Sequence, residues 1–270
     1  MHLTNKISNI FHKFATKEFP KPIQNFINSS YVNLLGLDMK EFLPPSSYNT
    51  LNQLFTRELK TPREFDKSLD TFISPADSFV TQCGDIEDNV VLQIKGMKYN
   101  IKELLTDEVF YDDLEKLKNG KYMNFYLSPK DYHRYHSSYN CQITKLIHIP
   151  GKLYPVNFTY LNKQENLFIE NERVVVECKT EEGKLFYMVF VGALNVGKMV
   201  FTFEPSVETN SDAFRPKVYK YDNLHISKGE CMGYFKMGST VLIFWEEDFV
   251  ELENLINTKV SFGDTIAKLS

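Results

Sequence analysis

Three short stretches of this sequence carry side chains able to move protons or attack a carbonyl. The first is Tyr132-His133-Arg134-Tyr135-His136. Two imidazoles three residues apart share one face if the segment is helical, and histidine is the side chain suited to proton transfer near neutral pH. Such a pair serves catalysis, binds a metal or is simply structural; a metal would need a third ligand, and none is evident nearby. The second stretch is Ser74-Pro75-Ala76-Asp77-Ser78. Its aspartate either caps a turn or orients a histidine, as the acid of a triad does. The third is Phe235-Lys236-Met237-Gly238-Ser239-Thr240, which runs into the apolar Val241-Leu-Ile-Phe-Trp245. Gly238 either supplies an unusual backbone angle to a turn or leaves its carbonyl unhindered for attack by the Ser239 hydroxyl. That attack needs a neighbouring base to take the proton.

These residues must be positioned by a fold that the pattern outlines. Ile7, Ile10, Phe11, Phe14 and Ala15 follow helical spacing, a second apolar set follows at Ile23, Phe26 and Ile27, and Pro20 and Pro22 separate the two. Lys6, Lys13, Lys17 and Lys21 flank this stripe against one acid, Glu18, as on a helix lying in a membrane interface. The alternative is a helix packed on its own domain. A short helix is expected within 51–60, helical patches at 101–105, 109–117 and 249–256, and short strands with turns over 71–99. From residue 121 the chain reads mostly as strands, at 123–127, 142–148, 173–178, 186–193, 199–204 and 240–245. The fold class is α+β. A β-rich core of mixed or antiparallel sheets, residues 46–270, follows an amphipathic helical N-terminus, residues 1–45, for which membrane association and packing on its own domain both stay open.

Composition narrows the function. A chain of 270 residues with 43% hydrophobic and 24% charged residues has an ordinary globular make-up. A formal net charge of −4 argues against a general nucleic-acid binder. The 22 Phe and 15 Tyr suit a core, a lipid-facing surface, or both. Cys83, Cys141, Cys178 and Cys231 lack zinc or redox spacing and read as free thiols. No apolar stretch approaches the ~18 residues a membrane span needs, and no signal-peptide core is visible, so a cytosolic or membrane-surface location is expected.

Taken in order, the motifs resemble the phosphatidylserine decarboxylase proenzymes of the bacterial type. The resemblance runs from about residue 50 to the C-terminus. It includes Leu54-Phe-Thr-Arg-Glu-Leu-Lys60, Ser74-Pro-Ala-Asp77 and Tyr126-Leu-Ser-Pro-Lys-Asp-Tyr-His-Arg-Tyr-His136. It continues through Gly151-Lys-Leu-Tyr-Pro-Val-Asn157, Asn171-Glu-Arg173, Val191-Gly-Ala193 with Val196-Gly197, Lys228-Gly-Glu230, Gly233-Tyr-Phe235 and Gly238-Ser-Thr240. Met237 stands where many members have Leu, and Ser138 where many have Pro.

The resemblance implies an Asp77–His136–Ser239 triad used once, for self-cleavage. His136, oriented by Asp77, takes the Ser239 Oγ proton, and the oxygen attacks the Gly238 carbonyl to turn the peptide bond into an ester. Elimination then leaves dehydroalanine, and hydrolysis leaves a covalent pyruvoyl group at Ser239. The products are residues 1–238 (the beta chain) and 239–270 (the alpha chain), held as a heterodimer; a homo-oligomer stays open. The pyruvoyl group is the cofactor, forms a Schiff base with the serine headgroup, and needs no metal. His133 matches the histidine used in decarboxylation itself, as a general acid. The implied reaction is phosphatidylserine to phosphatidylethanolamine and CO2, in phospholipid biosynthesis, by an enzyme peripheral to the cytoplasmic side of the cell membrane. The rivals are a pyruvoyl decarboxylase for another serine-headgroup lipid, a lipid-binding serine hydrolase, which would lack the Gly-x-Ser-x-Gly elbow, and a non-enzymatic lipid binder.

Overall fold

The computed structural model describes residues 3–94, 97–156, 158–194, 198–211, 213–236 and 239–270; for 3–7, 94, 158, 159 and 239 only the backbone is described. Of the residues singled out in the sequence, Asn157, Val196, Gly197, Met237 and Gly238 lie outside the described residues, as do the side chains of Lys6, Ile7 and Ser239.

The helices that bear on the site are α1 (Leu3–Ala15), α2 (Lys21–Leu35), α3 (Leu51–Phe55), α4 (Ile101–Leu105) and α5 (Tyr111–Lys116). The strands begin with β1 (Thr71–Ile73), β2 (Ser78–Asp85), β3 (Val90–Ile94), β4 (Met97–Asn100) and β5 (Lys121–Leu127). Next come β6 (Arg134–His136), β7 (Cys141–Ile149), β8 (Arg173–Lys179), β9 (Leu185–Val191) and β10 (Met199–Phe201). The last are β11 (Lys217–Ile226), β12 (Cys231–Phe235), β13 (Ser239–Trp245), β14 (Val250–Leu252), β15 (Lys259–Val260) and β16 (Thr265–Leu269). The molecule is α+β and rich in strand, 36% against 19% helix, with antiparallel sheets and helices at the N-terminus.

An eight-stranded sheet in the order β11-β7-β8-β9-β13-β5-β2-β15 forms the centre. Its middle strand β13 pairs in unbroken register with β9 on one side and β5 on the other. Val241 to Trp245 are wholly buried, because layers cover both faces of the sheet. Such a strand reads as a continuous apolar run and not as an alternation. On one face Phe186 and Trp245 meet Phe72 edge-on at 5.3 and 5.6 Å, while Phe190 meets Tyr135 at 4.3 Å. On the other face Arg173 donates to the carbonyls of Glu103 and Leu104, tying α4 to the sheet.

Phe72 belongs to the three-stranded sheet β1-β16-β14, and Tyr135 to the three-stranded sheet β10-β12-β6. The chain therefore passes from β12 in a small sheet straight into β13 at the centre of the large one. Close packing at this boundary requires glycine at 233. The Tyr135 hydroxyl donates to the Val200 carbonyl at 2.8 Å, and a Cβ on Gly233 would stand 1.9 Å from that carbonyl oxygen.

Two expectations need correction, and one conditional reading is resolved. The 249–256 segment is not helical; Val250–Leu252 is a strand paired with β16. The helix at 51–60 stops at Phe55, after Thr50 caps it by accepting from the Gln53 N–H at 3.0 Å. The two histidines do not lie on a helix: Arg134–His136 is a strand and His133 precedes it, so the shared helical face is absent.

Candidate active site

Asp77 sits in the turn between β1 and β2, where the sequence places a strand-to-turn change. Its carboxylate accepts from Arg63 Nη1 at 2.5 Å, from Arg63 Nη2 at 3.0 Å and from the Phe262 N–H at 2.8 Å. Arg63 also forks onto Glu41 at 2.8 and 2.9 Å. Burial alone would lower the Arg63 pKa, but the two carboxylates outweigh it and hold the guanidinium above its usual value.

His136 ends β6 and is buried. Its main-chain N–H donates to the Pro75 carbonyl at 2.9 Å, which brings the His-x-x-His stretch against the turn carrying Asp77. The ring stacks on Phe262 at 3.6 Å with 14° between planes. Phe262 thus bridges the pair, its N–H on Asp77 and its ring on His136. No hydrogen bond joins Asp77 to His136 among the described residues. The imidazole Nδ1 meets the Gly229 carbonyl at 2.9 Å and Nε2 meets the Tyr132 hydroxyl at 3.1 Å. A carbonyl only accepts, so Nδ1 carries the proton and the Tyr132 hydroxyl donates to the Nε2 lone pair. Gly229 has φ +80°, and a Cβ there would stand 2.2 Å from the Phe65 ring; glycine is what lets its carbonyl reach the imidazole. Burial first, and the Arg134 and Arg63 charges after it, lower the His136 pKa to about 4, against the opposing pull of the Gly229 carbonyl and Asp77.

His133 is wholly buried and lies at the other end of the same stretch. Its Nδ1 meets the Asp131 carbonyl at 2.8 Å, so Nδ1 again holds the proton, while Nε2 has no partner among the described residues. Its ring lies 4.0 Å from that of Phe55 in α3. Burial lowers its pKa to about 3, with Arg57 adding to the shift and the Asp131 carbonyl opposing it. The turn that presents His133 is built by Asp131, whose carboxylate accepts from the Ser128 N–H and hydroxyl at 2.8 and 2.7 Å. Arg57 clamps the turn by donating to the Lys130 and Asp131 carbonyls at 3.0 and 3.2 Å.

Ser239 is the first residue of β13 and faces Leu127, the last residue of β5. Ser128 follows Leu127 directly, and the His133 carbonyl accepts from the Phe235 N–H at the end of β12 at 3.0 Å. His136 faces Cys231 at the start of β12, one strand length from that junction. The fold thus gathers Asp77 and His136 into one cluster and holds His133 against the end of β12. Beside Ser239, the Thr240 hydroxyl is also buried without a partner among the described residues.

Several contributors escaped the sequence reading. Tyr132 stands inside the histidine stretch and Arg57 inside the Leu54–Lys60 motif, so both were within sight. Arg63 and Phe262 stand in none of the motifs, and only the fold brings them to Asp77. Among the described residues no group of three or more His, Cys, Asp or Glu is placed to hold a metal.

Residues 51–268 match the phosphatidylserine decarboxylase family. The phosphatidylserine decarboxylase proenzyme of Campylobacter jejuni is 41% identical over 99% of this chain and 100% of its own length. That of Helicobacter pylori is 41% identical over 98% of this chain and 97% of its own. The Marinobacter nauticus proenzyme is 33% identical over 98% of this chain and 93% of its own. The chain belongs to the phosphatidylserine decarboxylase family.

Proposed function

We propose that this chain is a proenzyme that cuts itself between Gly238 and Ser239 and then converts phosphatidylserine to phosphatidylethanolamine and CO2 at a bilayer surface. The activity named for relatives aligned over nearly the whole chain supports this. The observation that carries the reading is the open, buried Nε2 of His133, a residue whose carbonyl is tied to Phe235 at the end of β12. A buried unpaired nitrogen costs free energy, and such groups persist where a reaction uses them.

Self-cleavage draws on the other cluster. His136 is neutral, and its Nε2 lone pair is the base that the family's triad assigns to the Ser239 hydroxyl; with His136 at the far end of β12 from Ser239, cleavage requires the two to come together from this arrangement. The Tyr132 hydroxyl stands on that lone pair, so the proton passes through Tyr132 or waits for that hydroxyl to rotate away. Asp77 acts on His136 through charge and through Phe262.

The family implies a pyruvoyl group made from Ser239. The surroundings fit it: Thr240 Oγ1, next to Ser239, and His133 Nε2, on a residue tied to the end of β12, are buried polar atoms without partners among the described residues. Once formed, that group supplies an electron sink for the charge left as CO2 departs. The resting His133 is an acceptor and not an acid, since Nδ1 holds its one proton against Asp131. As the general acid of the decarboxylation, it must first gain a proton. The substrate's ammonium can supply it, and His133 returns it to the headgroup carbon.

After the cut, residues 239–270 would stay bound. β13 lies between β5 and β9, β15 pairs with β2 and β16 pairs with β1, which favours a beta–alpha chain pair.

No described helix is long and apolar enough to cross a membrane. Attachment to the bilayer instead falls to the region 1–45, ahead of the catalytic domain 46–270. Ile10, Phe14, Ile23, Phe26 and Leu34 are exposed, with Lys13, Lys17 and Lys21 exposed around them. An apolar surface ringed by cations fits an anionic bilayer.

Intact mass and lipid turnover test the reading together. Wild-type protein should run as two chains, the smaller without a free amino terminus. Ser239→Ala should stay one chain and lose activity. His133→Ala should cleave yet lose about a hundredfold or more in turnover, the usual worth of a proton-transfer group. An uncut wild-type chain that is fully active would sink the mechanism.

A further inference from the structure

Two lysines flank the segment that leads to Ser239. Lys236 follows β12 directly, three positions before Ser239, and Lys198 precedes β10 directly. Their backbones are joined, the Lys236 N–H donating to the Lys198 carbonyl at 2.9 Å, which extends the β10–β12 ladder by one rung. Both side chains are half-buried. Lys121, Lys145, Lys152 and Lys184 each sit on a carboxylate; among the described residues Lys198 and Lys236 have none. His12 of α1 belongs to the same group. Burial first, then the charges of Lys236 and Lys198, lower its pKa, and the pKa of Lys236 falls through burial and then the Lys198 charge. α1 is pinned here by Asn210 Nδ2, which donates to Asn9 Oδ1 at 2.7 Å. Half-burying like charges without a counter-charge is unfavourable until an anion arrives.

We propose that Lys198 and Lys236 form the subsite for the substrate's phosphodiester anion, with His12 closing it from the N-terminal helix. This rests on the decarboxylase reading above. The serine headgroup offers two anions, its phosphodiester and its carboxylate. The carboxylate leaves as neutral CO2, so a cation held against it would stabilise the ground state more than the transition state. The phosphodiester keeps its charge throughout. Cations placed there bind ground and transition states alike, and the signature of losing them is a raised KM with kcat unchanged. Phosphodiesters of neighbouring bilayer lipids carry the same charge, and the assay must separate them from the substrate's own.

The test compares wild type with Lys198→Gln, Lys236→Gln and Lys198→Arg. The first readout is intact mass, so that rates are expressed per processed chain. Lys198→Gln lies beside a separate strand, β10, and carries the test should Lys236→Gln impair cleavage or folding. The second readout is turnover of dihexanoyl phosphatidylserine kept monomeric in solution. Each Gln variant should raise KM about tenfold or more, the scale of a lost charge-assisted hydrogen bond, with kcat within about twofold. Lys198→Arg should stay within a few-fold of wild type. The third readout is turnover of long-chain substrate in phosphatidylcholine or phosphatidylglycerol vesicles. The KM defect should persist in both. An unchanged KM on monomeric substrate in a processed Lys198→Gln protein, or a defect confined to phosphatidylglycerol vesicles, overturns the proposal, the latter in favour of bilayer charge. A wild-type protein that makes no phosphatidylethanolamine overturns the decarboxylase reading instead.

Discussion

Strand β13 and helix α2 bury opposite kinds of side chain. In β13, every side chain from Val241 to Trp245 is fully enclosed. In α2, the fully buried residues are Gln24 and Asn28, with Ile27, Tyr31 and Val32 partly buried beside them, while Phe26 is 74% and Leu34 85% exposed. The Asn28 amide donates to the carbonyls of Pro45 and Tyr48, both at 3.0 Å, and meets Gln24 at 2.8 Å. Each buried apolar side chain of β13 contributes roughly 1.5–3 kcal/mol, whereas a hydrogen bond of the α2 kind nets about 1 kcal/mol. The contrast separates two tasks. β13 is anchored on both sides, and under the proposed cut before Ser239 it would keep residues 239–270 in place. α2 is held at a fixed angle with Phe26 and Leu34 left exposed, and the proposed bilayer attachment would give that apolar surface a use.

The largest expected effect breaks the first half of this contrast. Phe244→Ala removes a wholly buried ring from β13, and should cost about 3–5 kcal/mol of stability in urea unfolding. In processed protein the same change should loosen residues 239–270, so that gel filtration in mild urea separates the chains at a lower denaturant concentration than for wild type. A loss below about 1 kcal/mol would mean that the strand is not the anchor described.

Much of β13 was legible, because a run of five apolar residues after Gly-Ser-Thr has few other uses. The companions of the site were legible only in part. His133 and His136 stood out by type, but their spacing left helix or strand open, and the strand was set by pairing with β12, about a hundred residues away. Arg63 and Phe262 reach Asp77 from 14 and 185 positions away, and no local pattern announces either. Residues 249–256 suggested a helix through the spacing of Phe249, Leu252 and Ile256. Tertiary pairing with β16 overrode that preference. β11 was missed altogether, since Lys217, Lys220, Asp222 and Asn223 leave no clean alternation in an edge strand that is mostly exposed. For α1 and α2 the amphipathic spacing was visible, but not which face turns inward. Phe11 and Ile27 pack towards the Ala15, Leu51 and Leu54 cluster, whereas Ile10, Ile23 and Phe26 do not.

The second effect in size concerns the polar groups buried beside the central sheet. His133 and His136 are held near pKa values of about 3 and 4, below the usual 6.5 or so of an unfolded histidine. Between those values the unfolded chain binds more protons than the folded one, so stability rises with pH across the window. The contribution is complete above about pH 6.5 and is lost as pH falls towards 4. Urea midpoints should therefore drop between pH 7 and pH 5, and His136→Gln should flatten that drop. A midpoint rising as pH falls through this range would contradict neutral, buried imidazoles.

The smallest effect on stability falls on the other half of the contrast. Phe26→Ser changes a side chain that is 74% exposed on α2. An exposed substitution of this kind normally stays within about 0.5 kcal/mol, so thermal unfolding should hardly move. Its effect should appear in flotation with anionic vesicles, where losing a buried ring at the interface weakens binding several-fold. Turnover of monomeric short-chain substrate should be untouched, because Phe26 lies outside the clusters of Asp77, His136 and His133. Equal vesicle binding by Phe26→Ser and wild type would remove this face from the bilayer. A large loss of stability would show instead that Phe26 is covered within the molecule, and the inside-out character of α2 would no longer need a membrane to explain it.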